Sequence, residues 1–313
     1  MTQITGLPAS APSELSTDFP ADSRADLPVD LPVAVTGATG AQGGATARAL
    51  LRAGRRVRAL TRDTTSPAAT ELAALGAEVV RADFDDRASL TAALDGAGAL
   101  FAMSTPFGTD LDTEVRQGTA LLDAAATTGV RHVLFTSATN ADRSTGIPHF
   151  DTKQRIEQHL AGLDLPWTVI GPAAFLDNYA NDWTLESLRE GVFHLPMPPG
   201  VPIAVISAET IGAFAAHVLA HPAAYSGRRI DIASQWCTGE QIAAAITAAS
   251  GRPIRCEEVP LAVVETYSED LAAMFRYFQE PGLDIDTDAL HAAHPDIEWQ
   301  SLESWAAGQA WDL

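Results

Sequence analysis

Lysine is nearly missing from this 313-residue chain: of twenty basic side chains, Lys153 is the single lysine and the other nineteen are arginines. Positive charge is scarce altogether. Forty carboxylates leave a formal net charge of −20, which argues electrostatically against nucleic acid or an anionic membrane surface as partner. There are two cysteines, Cys237 and Cys256, with no CxxC spacing, so they are expected to be buried or idle thiols in a reducing cytoplasm. No apolar run reaches the length of a membrane span. The first residues lack a basic stretch followed by an apolar core, so no secretory leader is expected, and the expected location is cytoplasmic. No carboxylate pair or histidine-rich spacing suggests a metal.

What is present suffices for a large core, with 46% hydrophobic and 19% charged residues. Residues 1–30 are rich in Pro, Ser, Thr and Asp with one aromatic, a composition expected to form a flexible arm. From Leu31 the pattern changes. Short apolar runs ("LPVAVTG", "RRVRALTR", "AEVVRADF", "GALFAMSTP", "VRHVLFTSA", "PWTVIGPAAF") alternate with helical stretches. That alternation predicts an α/β fold, a Rossmann-type doubly wound parallel sheet. Beyond Phe175 it loosens into a smaller, mostly helical C-terminal lobe. The expected division is a dinucleotide domain over 31–172, rejoined by 204–235, and a substrate lobe from 173–203 and 236–313. From Cys256 onward thirteen carboxylates face one arginine, Arg276, so the C-terminal part is the acidic surface.

"VTGATGAQGG" sets Gly37, Gly40 and Gly43 at G-x-x-G-x-x-G between the first strand and first helix. Residues without Cβ let the backbone approach a pyrophosphate whose charge rests on the helix N-terminus. Thr39 and Gln42 lie in the same turn, and Ser104 and Thr105 end the fourth strand. All four are taken as cofactor contacts. The second strand ends "LTRD". Arg62 suits a 2′-phosphate, whereas strand alternation turns Asp63 away, so NADP (as NADPH) is expected over NAD. Asp83 and Phe84 close the third strand, where a carboxylate and an apolar ring can flank an adenine.

Together "VTGATGAQGG", "VRALTRD", "RADFDD", "HFDTK" and "PAAFLDNY" resemble the NmrA-like family, an atypical branch of the short-chain dehydrogenase/reductase superfamily. The resemblance runs from about Leu31 to the C-terminus. It implies a Rossmann fold, a preference for NADP(H), and either reductase activity or redox sensing without turnover. The superfamily pairs a tyrosine acid with a lysine four residues later, after the fifth strand, and the lysine holds the nicotinamide ribose. Lys153 falls on the corresponding helix, but His149 stands where the tyrosine would.

A compact ammonium can do this work where a broad guanidinium cannot, which gives a physical reason for keeping one lysine here. "DTKQ" reads as a capping box, with Asp151 at the N-cap and His149 ahead of the helix. His149 and Tyr179 are both candidate proton donors. The resemblance gives Ser137 the place of the substrate-polarising serine, with Thr136 and Thr139 as neighbours that could substitute. Phe175, Tyr179, Trp183, Phe193, Phe275 and Phe278 are expected around the substrate, favouring an apolar or aromatic small molecule. Three functions follow as expectations: an NADP(H)-dependent reductase of a carbonyl, enone or related group; an NADP(H)-sensing regulatory protein; or a non-redox cyclase or lyase. The reading allows a homodimer.

Overall fold

The computed structural model describes residues 27–106 and 110–313. Most of the expected arm, residues 1–26, therefore lies outside the described residues. Its last residues do not conform to the expectation. Leu27 is buried in the main core, and the Pro28 and Asp30 carbonyls accept hydrogen bonds from Arg55 and Arg56. The folded chain begins at least four residues earlier than the composition implied, because one leucine in "ADLPVD" finds a core to enter.

The first half alternates as expected: β1 (Val33–Val35), α1 (Ala41–Arg52), β2 (Val57–Thr61), α2 (Pro67–Ala74), β3 (Glu78–Arg81), α3 (Arg87–Leu94), β4 (Ala99–Met103), α4 (Leu111–Thr127), β5 (Val133–Thr136), α5 (Pro148–Ala161) and β6 (Trp167–Pro172). The second half contributes β7 (Ala174–Phe175), α6 (Asp182–Arg189), β8 (Val192–Leu195), β9 (Pro202–Ile206), α7 (Ala208–Ala220), α8 (Pro222–Tyr225), β10 (Arg228–Ile232), β11 (Gln235–Thr238), α9 (Gly239–Ser250), β12 (Arg255–Glu258), α10 (Leu261–Glu265), α11 (Glu269–Gln279), α12 (Thr287–Ala293) and α13 (Leu302–Ala307).

Seven strands form one parallel sheet in the order β10-β6-β5-β4-β1-β2-β3. Strand order reverses between β1 and β4, and such a switch point opens a crevice at the C-terminal edge of the sheet. Thr36, fully buried, ties that point together: its hydroxyl donates to the Phe101 carbonyl and accepts from the Met103 N–H. The central strands β1, β4, β5 and β6 are buried on both sides because helices cover both faces. Helix α7 packs closely on α1, where a Cβ on Gly212 would lie 2.6 Å from the Ala45 carbonyl carbon.

Beyond the large sheet, β7, β9 and β11 form a three-stranded sheet and β8 pairs with β12. Strand β9 thus joins the smaller sheet, whereas β10 completes the large one. The larger core cluster runs through both parts without a break.

Candidate active site at the sheet switch point

Gly37 has φ +60°, and a Cβ there would run into the Met103 side chain. A Cβ on Gly43 would lie 2.6 Å from the Thr36 carbonyl oxygen, so α1 can start this close to β1 only with glycine there. Helix α1 begins at Ala41, and its N-cap, Gly40, offers no side-chain cap. The first N–H groups of a helix have no intrahelical acceptor, and an end without a side-chain cap is the arrangement that binds a phosphate. Thr39 is exposed and Gln42 half-buried, and Gln42 Oε1 accepts the Thr136 hydroxyl at 2.5 Å, linking the turn to the end of β5.

At the outer end, Arg62 is exposed and close enough to Asp85 to help lower its pKa, after the stronger hydrogen bond from Arg116. Asp63 turns back on its own loop, accepting the Thr65 N–H at 2.8 Å and its hydroxyl at 2.6 Å. Those bonds hold its carboxyl below the usual range. Asp83 and Phe84 follow β3 half-buried, and Asp83 accepts the Asp85 N–H.

Lys153 lies deep between α5, α4 and the end of β4. Its Nζ donates to the Ser104 carbonyl at 2.5 Å, the Ser104 hydroxyl at 3.0 Å and Glu114 Oε1 at 2.5 Å. The Ser104 hydroxyl donates to the same carboxylate, and Thr152 donates to its other oxygen. Burial pulls the Lys153 ammonium below its ordinary range, and Glu114 opposes that pull. The helices come this close because Gly118 of α4 faces Ile156, where a Cβ would lie 2.6 Å from Ile156 Cδ1. Glu114 was missed in the sequence. The signal was its place on the buried stripe of α4, with Gly118, Leu121, Leu122 and Ala125 at helical spacing. Thr105 is half-buried beside Ser104 in sequence.

Helix α5 starts at Pro148, not at Asp151, so the expected capping box does not form. Proline has the φ of a first helical residue and lacks an N–H that would be unpaired there, and it was the signal that marks this start. His149 therefore lies inside the helix, one turn before Lys153 and on the same face. Its Nδ1 is 2.6 Å from Asp270 Oδ2, and its backbone N–H donates to Asp270 Oδ1 at 2.9 Å. Asp270, from α11, is the second functional candidate not singled out in the sequence.

The hydroxyl candidates are placed differently from expectation. Ser137 donates to Glu157, which also accepts from Arg229 Nε at 3.0 Å. Thr136 donates to Gln42, and Thr139 to the Gly171 carbonyl at 2.7 Å. A hydroxyl has one hydrogen, so each is committed inside the protein. Tyr179 packs edge-on to Phe193, and burial, followed by Cys237 and Cys256, pushes its pKa up. Both thiols are raised by burial too, Cys237 to about 12 and Cys256 to about 11, so both stay protonated at neutral pH.

Of the aromatics expected around a substrate, Phe175, Tyr179 and Phe275 are half-buried. Phe278 is buried against Phe150 and Phe275. Phe193 has no exposed surface and belongs to the core, and Trp183 is 89% exposed on α6, so neither lines a formed cavity in this structure. Among the described residues no cluster of His, Cys, Asp or Glu could hold a metal ion, and no helix is long and apolar enough to cross a membrane.

A parallel sheet with a glycine turn and an uncapped helix N-terminus at its switch point defines a Rossmann-fold, NAD(P)-binding class of protein. Within that class, the chain belongs to the NmrA-like family, whose model matches residues 30–306. It is 30% identical over 208 residues to an NAD(P)H azoreductase of Xenophilus azovorans, covering 65% of this chain and 68% of that protein. It is 31% identical over 263 residues to an NmrA-like family domain-containing oxidoreductase of a Cladobotryum species, covering 72% and 77%. Among solved structures, an NADPH-dependent quinone oxidoreductase of Escherichia coli in complex with NADPH superposes with a TM-score of 0.74 at 25% identity, covering 88% of this chain and 98% of that one.

Proposed function

We propose that this protein is an NADPH-dependent reductase of a carbonyl, enone, quinone or azo group on an apolar or aromatic small molecule. The carrying observation is the shared face of α5, which sets the His149 ring and the Lys153 ammonium one turn apart beside the switch point. The names of the azoreductase and quinone oxidoreductase relatives support the reaction class. The residues fit the cofactor: the α1 N-terminus takes the pyrophosphate, Arg62 the 2′-phosphate, and Asp83 and Phe84 flank the adenine. Ser104, Thr105 and Lys153 border the nicotinamide end. The bound nicotinamide supplies a hydride, and the chain's residues hold the acceptor and provide the proton. Phe175, Phe275 and Tyr179 are the proposed substrate contacts. Tyr179 serves as lining, because a phenol made less acidic by burial is a poorer proton donor.

A second reading, NADP(H) binding without turnover, is favoured by one observation. All three hydrogens of the Lys153 ammonium are taken by Ser104 and Glu114, leaving none for a ribose unless a bond is exchanged. The test follows NADPH absorbance with aromatic ketones, enones, quinones and azo dyes, alongside calorimetric NADPH binding. Acceptor-dependent oxidation establishes the reductase. Tight binding with no oxidation by any acceptor favours the second reading.

A further inference from the structure

We infer that Tyr225, gripped between His217 and His294, is a latch that holds segment 287–299 on α7 and α8 at neutral pH and releases it in acid. The latch needs neither cofactor nor substrate, so it stands apart from the reductase reading. Tyr225 Oη lies 3.0 Å from Nε2 of His217, on α7, and 3.1 Å from Nδ1 of His294, which ends α12. Tyr225 and His294 are both buried, and their rings stack with centroids 5.8 Å apart. Phe214 of α7 packs edge-on to His294 at 5.0 Å and tilted to Trp299 at 5.8 Å.

A phenol has one hydrogen to give. With both imidazoles neutral, one ring N–H donates to Tyr225 Oη, and the phenol hydrogen goes to the bare nitrogen of the other ring. Among the described residues the hydroxyl has no third hydrogen-bond partner. Protonating the accepting ring therefore puts an N–H on both sides of the phenol and leaves the phenol hydrogen without an acceptor. Protonating the donating ring keeps both bonds but places a charge where the neighbours oppose it.

Those neighbours come from each element packed here. The His221 ring, between α7 and α8, lies 4.7 Å from that of His217, and the Arg228 guanidinium of β10 lies 5.8 Å over the Tyr225 ring. Asp296, past α12, works the other way and favours charge on His217. His291 of α12 faces the Ala233 carbonyl through Nε2 at 3.1 Å, an N–H contact that protonation leaves intact. Burial, then His221, pulls His217 below its ordinary range; burial, then His217 and Arg228, does the same to His294. The released segment thus binds protons more readily than the docked one. Docking is at full strength above the ordinary histidine value of about 6.5 and weakens as pH falls below it.

Amide hydrogen exchange of the full chain at pH 7 and pH 5.5, corrected for intrinsic rates, tests the latch. Each proton taken up on release raises the opening constant by up to about tenfold per pH unit. On acidification the amides within 287–299 should lose more than about threefold in protection relative to those of β1 and β4, a reference that removes any change in global stability. In His217→Gln/His294→Gln, whose amides donate and accept without titrating, that ratio should no longer change with pH. Tyr225→Phe should lower the protection of the segment already at pH 7. A wild-type segment whose protection tracks β1 and β4 at both pH values overturns the inference. So does a glutamine variant that keeps the wild-type pH dependence, or a Tyr225→Phe chain that exchanges like the wild type. Should the glutamine variant fail to fold, the wild type and Tyr225→Phe decide.

Discussion

Lys153 Nζ lies 2.5 Å from Glu114 Oε1, and Glu114 is completely buried. The chain's only lysine thus sits in a closed ion pair between two helices, beside the proposed nicotinamide end. An ammonium satisfies Ser104 and Glu114 within one small pocket, and a guanidinium is too broad and flat to occupy it.

Removing one member of a buried pair strands the other. Glu114→Gln should therefore destabilise the fold by about 3–5 kcal/mol in chemical denaturation. Glu114→Leu combined with Lys153→Met should recover most of that loss, since an apolar pair strands no charge. Lys153→Arg should weaken both stability and NADPH binding. An arginine variant that melts and binds like the wild type would make the lone lysine an accident of composition.

A second buried group predicts a pH dependence of stability. His132 Nε2 is 2.9 Å from Thr168 Oγ1, and Thr168 gives its own hydrogen to the Tyr225 carbonyl, so the imidazole must donate through Nε2. Burial lowers the His132 pKa to about 4. The unfolded chain takes up this proton near pH 6.5, before the folded chain does, so stability is full above that pH. It falls as pH drops toward 4, by at most about 3 kcal/mol. Denaturation midpoints between pH 4 and 7 should show this slope, and His132→Gln should flatten part of it. An unaltered slope in the variant would assign the effect elsewhere.

Cofactor preference should reside in Arg62. With Asp63 occupied by Thr65, Arg62→Ala is expected to weaken NADPH more than tenfold, an energy of about 1.4 kcal/mol or more, and leave NADH nearly unchanged. Calorimetric titration with both cofactors decides it, and equal losses would count against a 2′-phosphate contact.

Leu27 gives the fourth prediction. A chain beginning at Asp30 loses a buried leucine and should be less stable than one beginning at Leu27 by about 1.5–3 kcal/mol. Matching melting curves for the two would show that Leu27 adds nothing to the core.

The sheet was legible from the sequence because its signals are local. Apolar runs of strand length, glycines at Gly37, Gly40 and Gly43, and helical spacing in "TALLDAAA" each depend on residues close along the chain. The glycine turn was readable for the same reason, whereas Asp63 lies beyond the end of β2 and is turned by its bonds to Thr65 rather than by strand alternation. The start of α5 was misplaced because "DTKQ" mimics a capping box, and the true signal, Pro148, lay three residues upstream. What only the tertiary structure decided were the partners. Glu114 is 39 residues from Lys153 and Asp270 is 121 from His149, distances over which composition and periodicity say nothing about which carboxylate meets which base. The same holds for Phe193 and Trp183: both read as aromatic wall, and packing buried one and exposed the other. A local pattern sets which face of an element is apolar, but how elements cross sets what that face touches, and at this site the chemistry is in the touching.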